Sequence, residues 1–185
     1  MDERLSCGIN MAIENTWQVE KIPGEDIVYR QVHILAAPKK EGRRIPNEAN
    51  FSPDGDGLSV HWNKYITIEG IYQILGLSYN AKNNYINFTQ FKVYGFPINF
   101  VRSVSGINDV IHSPVINGNP APVGHPNNRA HASVMYPDDE EIRLKLADYV
   151  LNNYQQSYCD VDVSGLSSEI QQLRERLNNT PYHCL

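Results

Sequence analysis

The apolar and polar positions of this chain alternate in a series of short runs before they fall into a helical period. From Asp26 to Ala37, Ile27, Tyr29, Gln31 and His33 share one face, while Val28, Arg30, Val32 and Ile34 share the other, the period of two that an extended strand imposes. Arg30 therefore lies among apolar neighbours. An unpaired buried charge is costly, so a strand edge or a carboxylate partner is expected for it. In the next run Leu58, Val60 and Trp62 alternate with Gly57, Ser59 and His61, which puts Ser59 and His61 together on the face turned away from the core. Further strands are expected from Asn84 to Phe96, Ile98 to Ser105, Val110 to Ile116 and Ala130 to Tyr136, parted by turn formers such as Gly95-Phe96-Pro97, Ser105-Gly106 and Asn117-Gly118-Asn119-Pro120.

Helical signals are fewer. Thr67 is placed to cap a short helix through Leu75, with Gly76 as a left-handed stop. After Pro137, the acidic run Asp138 to Glu141 suits the first turn of a helix, and Ile142, Leu146, Tyr149, Val150 and Asn153 follow at helical spacing. Ser167 is placed to cap a last helix in which Ile170, Leu173 and Leu177 form a narrow stripe, suited to its own domain or to a partner helix. Strands that succeed one another without helices between them predict an antiparallel or mixed sheet. The expected architecture is a single α+β domain with roughly five to seven strands, one packed helix near 138–153 and a C-terminal helix near 167–178. Residues 1–24 read as an N-terminal extension, 25–154 as the core domain and 155–185 as a linker and helix.

Bulk composition narrows the class. A chain of 185 residues can bury its own core without metal or disulfide staples. Its cysteines, Cys7, Cys159 and Cys184, are odd in number and widely spaced, which argues for reduced, structural thiols. The net charge of −5 opposes a broad grip on nucleic acid, and the basic run Lys39-Lys40-Glu41-Gly42-Arg43-Arg44 reads as a solvated turn. No window approaches the apolar length of a membrane span. The charged start Met1-Asp2-Glu3-Arg4, with no apolar block behind it, predicts a cytoplasmic protein.

Candidate chemistry gathers at two junctions where a polar loop feeds a strand. One runs from Gly124 to Tyr136 and carries His125, Arg129 and His131; the other runs from Asn50 to Trp62 and carries Ser59 and His61. If the two face each other across a cleft, His131, Ser59 and His61 form the catalytic set. Arg30, His125 and Arg129 are then the ligand-binding groups, because guanidinium and imidazole suit a phosphate or carboxylate. No metal is expected: His125 and His131 lack a third ligand nearby. The run Ser52-Pro53-Asp54-Gly55-Asp56-Gly57 has Asn63 where a calcium loop needs its glutamate, so a tight turn explains it more simply. His131-Ala132-Ser133 matches the tripeptide of two-histidine phosphoesterases, but the second copy is missing.

Phe51 to Val60, Val101-Arg102-Ser103-Val104, Gly124-His125-Pro126 and Arg129 to Val134 resemble, in order and spacing, a set of small bacterial proteins. That resemblance implies a bacterial, intracellular setting and one compact domain, and it carries no activity with it. Tyr29-Arg30 and Leu58-Ser59-Val60 also look like the ADP-ribosyltransferase and related NAD-cleaving folds, in which a cation on a first strand, a Ser or Thr on a later strand and an acid meet on a split antiparallel sheet. For the acid, Glu69, Asp109 and Glu140 are the candidates here. The functional expectation is a small bacterial protein that binds or acts on a phosphate-bearing nucleotide, with NAD or ADP-ribose chemistry in view. The alternative is a non-catalytic interaction module of a bacterial multi-component system, such as a defence or toxin system, which captures a protein partner through the C-terminal helix. Whether it is an enzyme, and which cofactor it would use, is left open by these residues.

Overall fold

The structure, a computed structural model, describes residues 17–37, 39–40, 43–55, 57–80, 82, 84–116, 126–159 and 161–179. Its strands are β1 (Ile27–His33), β2 (Lys39–Lys40), β3 (Arg43–Arg44), β4 (Gly57–Trp62), β5 (Phe91–Pro97), β6 (Asp109–His112), β7 (His131–Met135) and β8 (Tyr158–Cys159). β2 and β3 pair with each other in a two-stranded sheet of their own, and the middle of the basic run, residues 41–42, lies outside the described residues. The other strands form one six-stranded sheet in the order β6-β7-β4-β1-β5-β8, antiparallel throughout. The α+β expectation is what the structure shows. None of its helices is long and apolar enough to cross a membrane, among the described residues.

The sheet is not evenly joined. β1 pairs with β5 along its whole length, from Ile27 opposite Pro97 to His33 opposite Phe91. With β4 it pairs only at Val28 opposite Trp62 and Tyr29 opposite His61. Past those pairs the ladder between the two central strands ends, and the sheet parts there.

Each face carries a core. On one face Val28, Val32, Leu58, Val60, Trp62 and Val134 lie beneath Ile142, Leu146 and Val150 of helix α3, the third in chain order (Glu140–Asn152). Asp139 caps that helix by accepting from the backbone N–H groups of Glu141 and Ile142, and Glu140 and Glu141 lie at the positive end of its dipole. On the other face Tyr29, Phe91 and Val93 are covered by Ile71 and Leu75 of helix α1 (Ile68–Leu77) and by Leu166 and Ile170 of helix α5 (Ser164–Asn179). These two helices cover the β1-β5 half, and among the described residues no helix covers the β4-β7 half of that face.

Several elements differ from the sequence reading. The run after Pro97 is a helix, α2 (Ile98–Ser103), because Ile98 and Val101 at a spacing of three both bury against the main core; tertiary burial overrides the β-branched propensity. The segment 84–96 is extended only from Phe91 onward, after a 3-10 turn at Phe88–Gln90. The short helix α4 (Tyr154–Ser157) follows α3. Gly76 lies inside α1 rather than beyond it, and a Cβ there would stand 2.8 Å from Cγ2 of Ile170. Its role is to let α5 approach. The last helix begins at Ser164, with the Asp162 carboxylate accepting from the Ser164 N–H and hydroxyl. Ile22 is buried in the main core, so the described part of the N-terminal segment packs as part of the domain.

Candidate functional site

Register decides which of the predicted site residues meet. On β4 and β7, Ser59 lies opposite Ser133 and His61 opposite His131, and with Tyr29 opposite His61 the residue two along β1 on the same face is Gln31. Gln31, Ser59, His61, His131 and Ser133 thus pave the half of the sheet face beside the part that α1 and α5 cover. They form the floor of a cavity of about 510 Å³, with Leu75 and Ile86 in one wall, Val115, Pro126 and Asn128 in another, and Asp54 at the turn before β4. That volume falls in the range of small-molecule sites.

His131 is held from both sides. Its Nδ1 lies 2.6 Å from the carbonyl oxygen of Ser113, an acceptor only, so Nδ1 carries the proton. Nε2 is then the lone-pair nitrogen, and it accepts from the Ser59 hydroxyl at 3.0 Å. The Ser113 hydroxyl lies 3.0 Å from the same Nδ1 and 3.1 Å from the Ser133 hydroxyl. Burial lowers the His131 pKa, the Ser113 carbonyl opposes that, and the nearby His112 adds to the fall. The ring is neutral near pH 7, as a proton acceptor must be.

His61 has the opposite tautomer. The side-chain oxygen of Asn128 accepts from the Ala130 N–H at 3.1 Å, which turns its NH2 group toward Nδ1 of His61 at 3.1 Å. Nδ1 is therefore the acceptor and Nε2 bears the hydrogen. His61 is 3% exposed, and among the described residues neither its Nε2 nor the side-chain oxygen of Gln31 has a hydrogen-bond partner. Burial, with help from His131 and Arg30, pulls the His61 pKa down to about 3. The cleft floor thus combines a hydroxyl bonded to an imidazole with a buried imidazole N–H and a buried amide oxygen that have no partner among the described residues.

The predicted cations do not join this group. Arg30 shares a face with Val28 and Val32 and turns to the main core, away from the cleft, where among the described residues it pairs with no carboxylate. Its Nη1 donates to the backbone carbonyl of Ser59 at 2.9 Å, at the place where the β1-β4 ladder has ended. Burial lowers its pKa to about 10, against the favourable influence of Tyr136 and Asp54. Arg129 lies over the Tyr65 ring at 4.1 Å and bonds to the Tyr65 hydroxyl and to Glu20, at 3.2 and 3.4 Å. It serves a surface cluster in which Lys64 and Tyr65 also bond Glu20 and hold its carboxyl down to about 2. His125 lies outside the described residues.

Of the acids considered, Glu69 and Glu140 are exposed in the first turns of α1 and α3, and Asp109 pairs with Arg102; none lines the cleft. Asp54 does. It sits in a turn in which its N–H donates to the Gly57 carbonyl at 3.1 Å and Gly55 takes a φ of +65°. The described residues of that run turn back on themselves through the Asp54–Gly57 bridge, and among the described residues no cluster of ligands for a metal ion occurs. Gln31 and Ser113 carried no sequence signal, since Gln31 is one polar residue in an alternating run and Ser113 lies beyond the end of β6. No family model matches the chain, and no curated protein or solved structure is similar enough to lend it a fold or an activity.

Proposed function

We propose that the cleft binds and acts on a nucleotide-type ligand of the NAD or ADP-ribose class. The observation that carries the reading is the parting of an antiparallel sheet between β1 and β4, with a cavity of about 510 Å³ on the face where Gln31, Ser59, His61 and His131 converge. A split antiparallel sheet with a serine on a later strand is what the ADP-ribosyltransferase likeness implies; the cation it expects on the first strand, Arg30, is turned to the core instead. The described lining has no Lys or Arg, so the uncharged end of the ligand enters and its phosphates stay toward solvent. Gln31, His61 and Asn128 supply neutral hydrogen-bonding groups for a carboxamide, base or ribose. Asp54 is the carboxylate placed to steady positive charge developing on a ribose carbon.

The test is calorimetric titration with NAD and with ADP-ribose, together with chromatographic assay of nicotinamide release. Binding is expected to weaken about tenfold in Gln31→Leu, and nicotinamide release is expected to fall in Asp54→Ala. Absence of both heat and nicotinamide at millimolar ligand defeats the reading. The partner-capture alternative has less to stand on, because Ile170 of the C-terminal stripe is fully buried against α1.

A further inference from the structure

We infer that Ser59 is a nucleophile, with His131 as its base and His61 as the donor to the electrophile's oxygen, and that the cleft accepts an uncharged ester or related carboxylic acid derivative. The inference stands apart from the nucleotide reading, since an activated serine attacks a small ester whether or not a nucleotide also binds.

The Ser59 hydroxyl donates to His131 Nε2 at 3.0 Å, and the Ser113 carbonyl at 2.6 Å from Nδ1 fixes the tautomer and orients the ring. A nucleophile, a base and an orienting acceptor thus stand in series. Ser59 and His61 lie two residues apart on one face of β4, about 7 Å along the strand. A carbonyl group set between them points its carbon at the Ser59 oxygen and its oxygen at the His61 N–H. That N–H is a buried donor with no partner among the described residues, and Asn128 keeps it on Nε2. Asp54, the ionisable acid among the described lining residues, disfavours a substrate with a carboxylate nearby.

The step balances without a further reagent. Ser59 Oγ forms a bond to the carbonyl carbon as its proton passes to His131 Nε2, and the carbonyl π pair becomes an oxyanion held by His61 Nε2–H. Collapse breaks the bond to the leaving alkoxide, which takes the proton from His131 and departs as the alcohol. Water then adds to the acyl-serine, giving its proton to His131. The second collapse returns that proton to Ser59 and releases the carboxylic acid.

Purified protein is treated with a fluorophosphonate, with the labelled peptide mapped by mass spectrometry, and is assayed separately with p-nitrophenyl acetate. The expected results are a label on Ser59, none in Ser59→Ala, and ester turnover lower by about 10²–10⁴-fold in His131→Gln. His61→Phe is expected to lower kcat by about 10²–10³-fold with little change in KM. A long-range proton–nitrogen NMR spectrum reads the tautomers without relying on any variant, and Nε2–H is expected on His61 with Nδ1–H on His131. The proposal is overturned if folded protein takes no label, if labelling survives in Ser59→Ala, or if turnover is unchanged in His131→Gln. A spectrum showing Nδ1–H on His61 removes the donor and overturns its part. Ester turnover without NAD binding would sink the nucleotide reading alone, and the reverse result would sink this one alone.

Discussion

Ser59 and His131 are hydrogen-bonded at 3.0 Å although they are not partners in the ladder: Ser59 lies opposite Ser133, and His131 opposite His61. The contact is a diagonal across the β4-β7 pair, within reach of a long ring. It places the hydroxyl on Nε2 because the other ring nitrogen is already taken by Ser113.

From this diagonal follows a non-additive mutant cycle. If the serine and the imidazole act as one unit, removing either removes the function of both. Ser59→Ala, His131→Gln and the double variant are expected to show the same residual ester turnover within experimental error. Additive losses, measured as kcat/KM for p-nitrophenyl acetate, would show that the hydrogen bond is structural.

His61 and His131 also set an acid limit on stability. A histidine whose folded pKa lies below its unfolded value binds more protons when unfolded, so its contribution is complete above the unfolded pKa and is lost as pH falls. For His61 the window runs from 6.5 down to about 3; His131 is shifted in the same direction. Glu20 acts lower, between 4.5 and about 2, and with its side chain part-exposed it is screened by solvent. Melting temperatures are therefore expected to be flat above about pH 7 and to fall between pH 6.5 and 4.5, where Glu20 contributes little. In His61→Phe the fall over that interval is expected to be shallower than in the unaltered protein. An equal slope in both would remove His61 from the account.

Alternation in the sequence was enough to put Ser59 with His61, and to set Arg30 on the face of Val28 and Val32. It could not say which face of β1 continues which face of β4, because that depends on pairing register, and a shift of one residue exchanges the faces. Tyr29 opposite His61 settles it: Gln31 joins the cleft and Arg30 goes to the core. Asp54 read correctly as a turn residue, but nothing local indicated that the turn edges a cavity. The Ile98 helix was hidden for another reason, since β-branched residues favour a strand until Ile98 and Val101 find the same core. The Thr67 cap was legible because capping is local chemistry, and the acidic run marked the start of α3, where Asp139 turns out to be the cap.

The C-terminal helix belongs to the fold. Ile170 has no exposed surface and fills the space above Gly76, and Arg174 donates to the Gly76 carbonyl at 2.9 and 2.6 Å while its guanidinium lies 4.3 Å from the centre of the Tyr85 ring. Ile170→Ala is expected to cost about 2–5 kcal/mol in chemical denaturation while leaving the mass by light scattering unchanged. A fall in mass with stability intact would return the helix to a role in self-association.

Arg129 provides the sharpest contrast between the sequence expectation and the site. A cation in a loop beside His131 reads as a phosphate ligand, yet its guanidinium is spent on the Tyr65 ring, the Tyr65 hydroxyl and Glu20. Its backbone carbonyl accepts from Nε2 of His112 at 2.7 Å, and Nδ1 of that ring accepts from the Glu20 N–H at 3.1 Å. The cluster ties the segment around Glu20 to the ends of β4 and β7. Half-exposed stacks and ion pairs of this kind are weak, so Arg129→Ala is expected to cost no more than about 1 kcal/mol. Because the backbone contact survives the substitution, the Ser59 labelling rate and the NAD affinity are both expected to stay within about twofold of the unaltered protein, as for a surface change away from the site. A tenfold loss of NAD affinity in Arg129→Ala, with melting unchanged, would mean that the guanidinium leaves Tyr65 to meet the ligand, and the cleft would then have to be redrawn to include it.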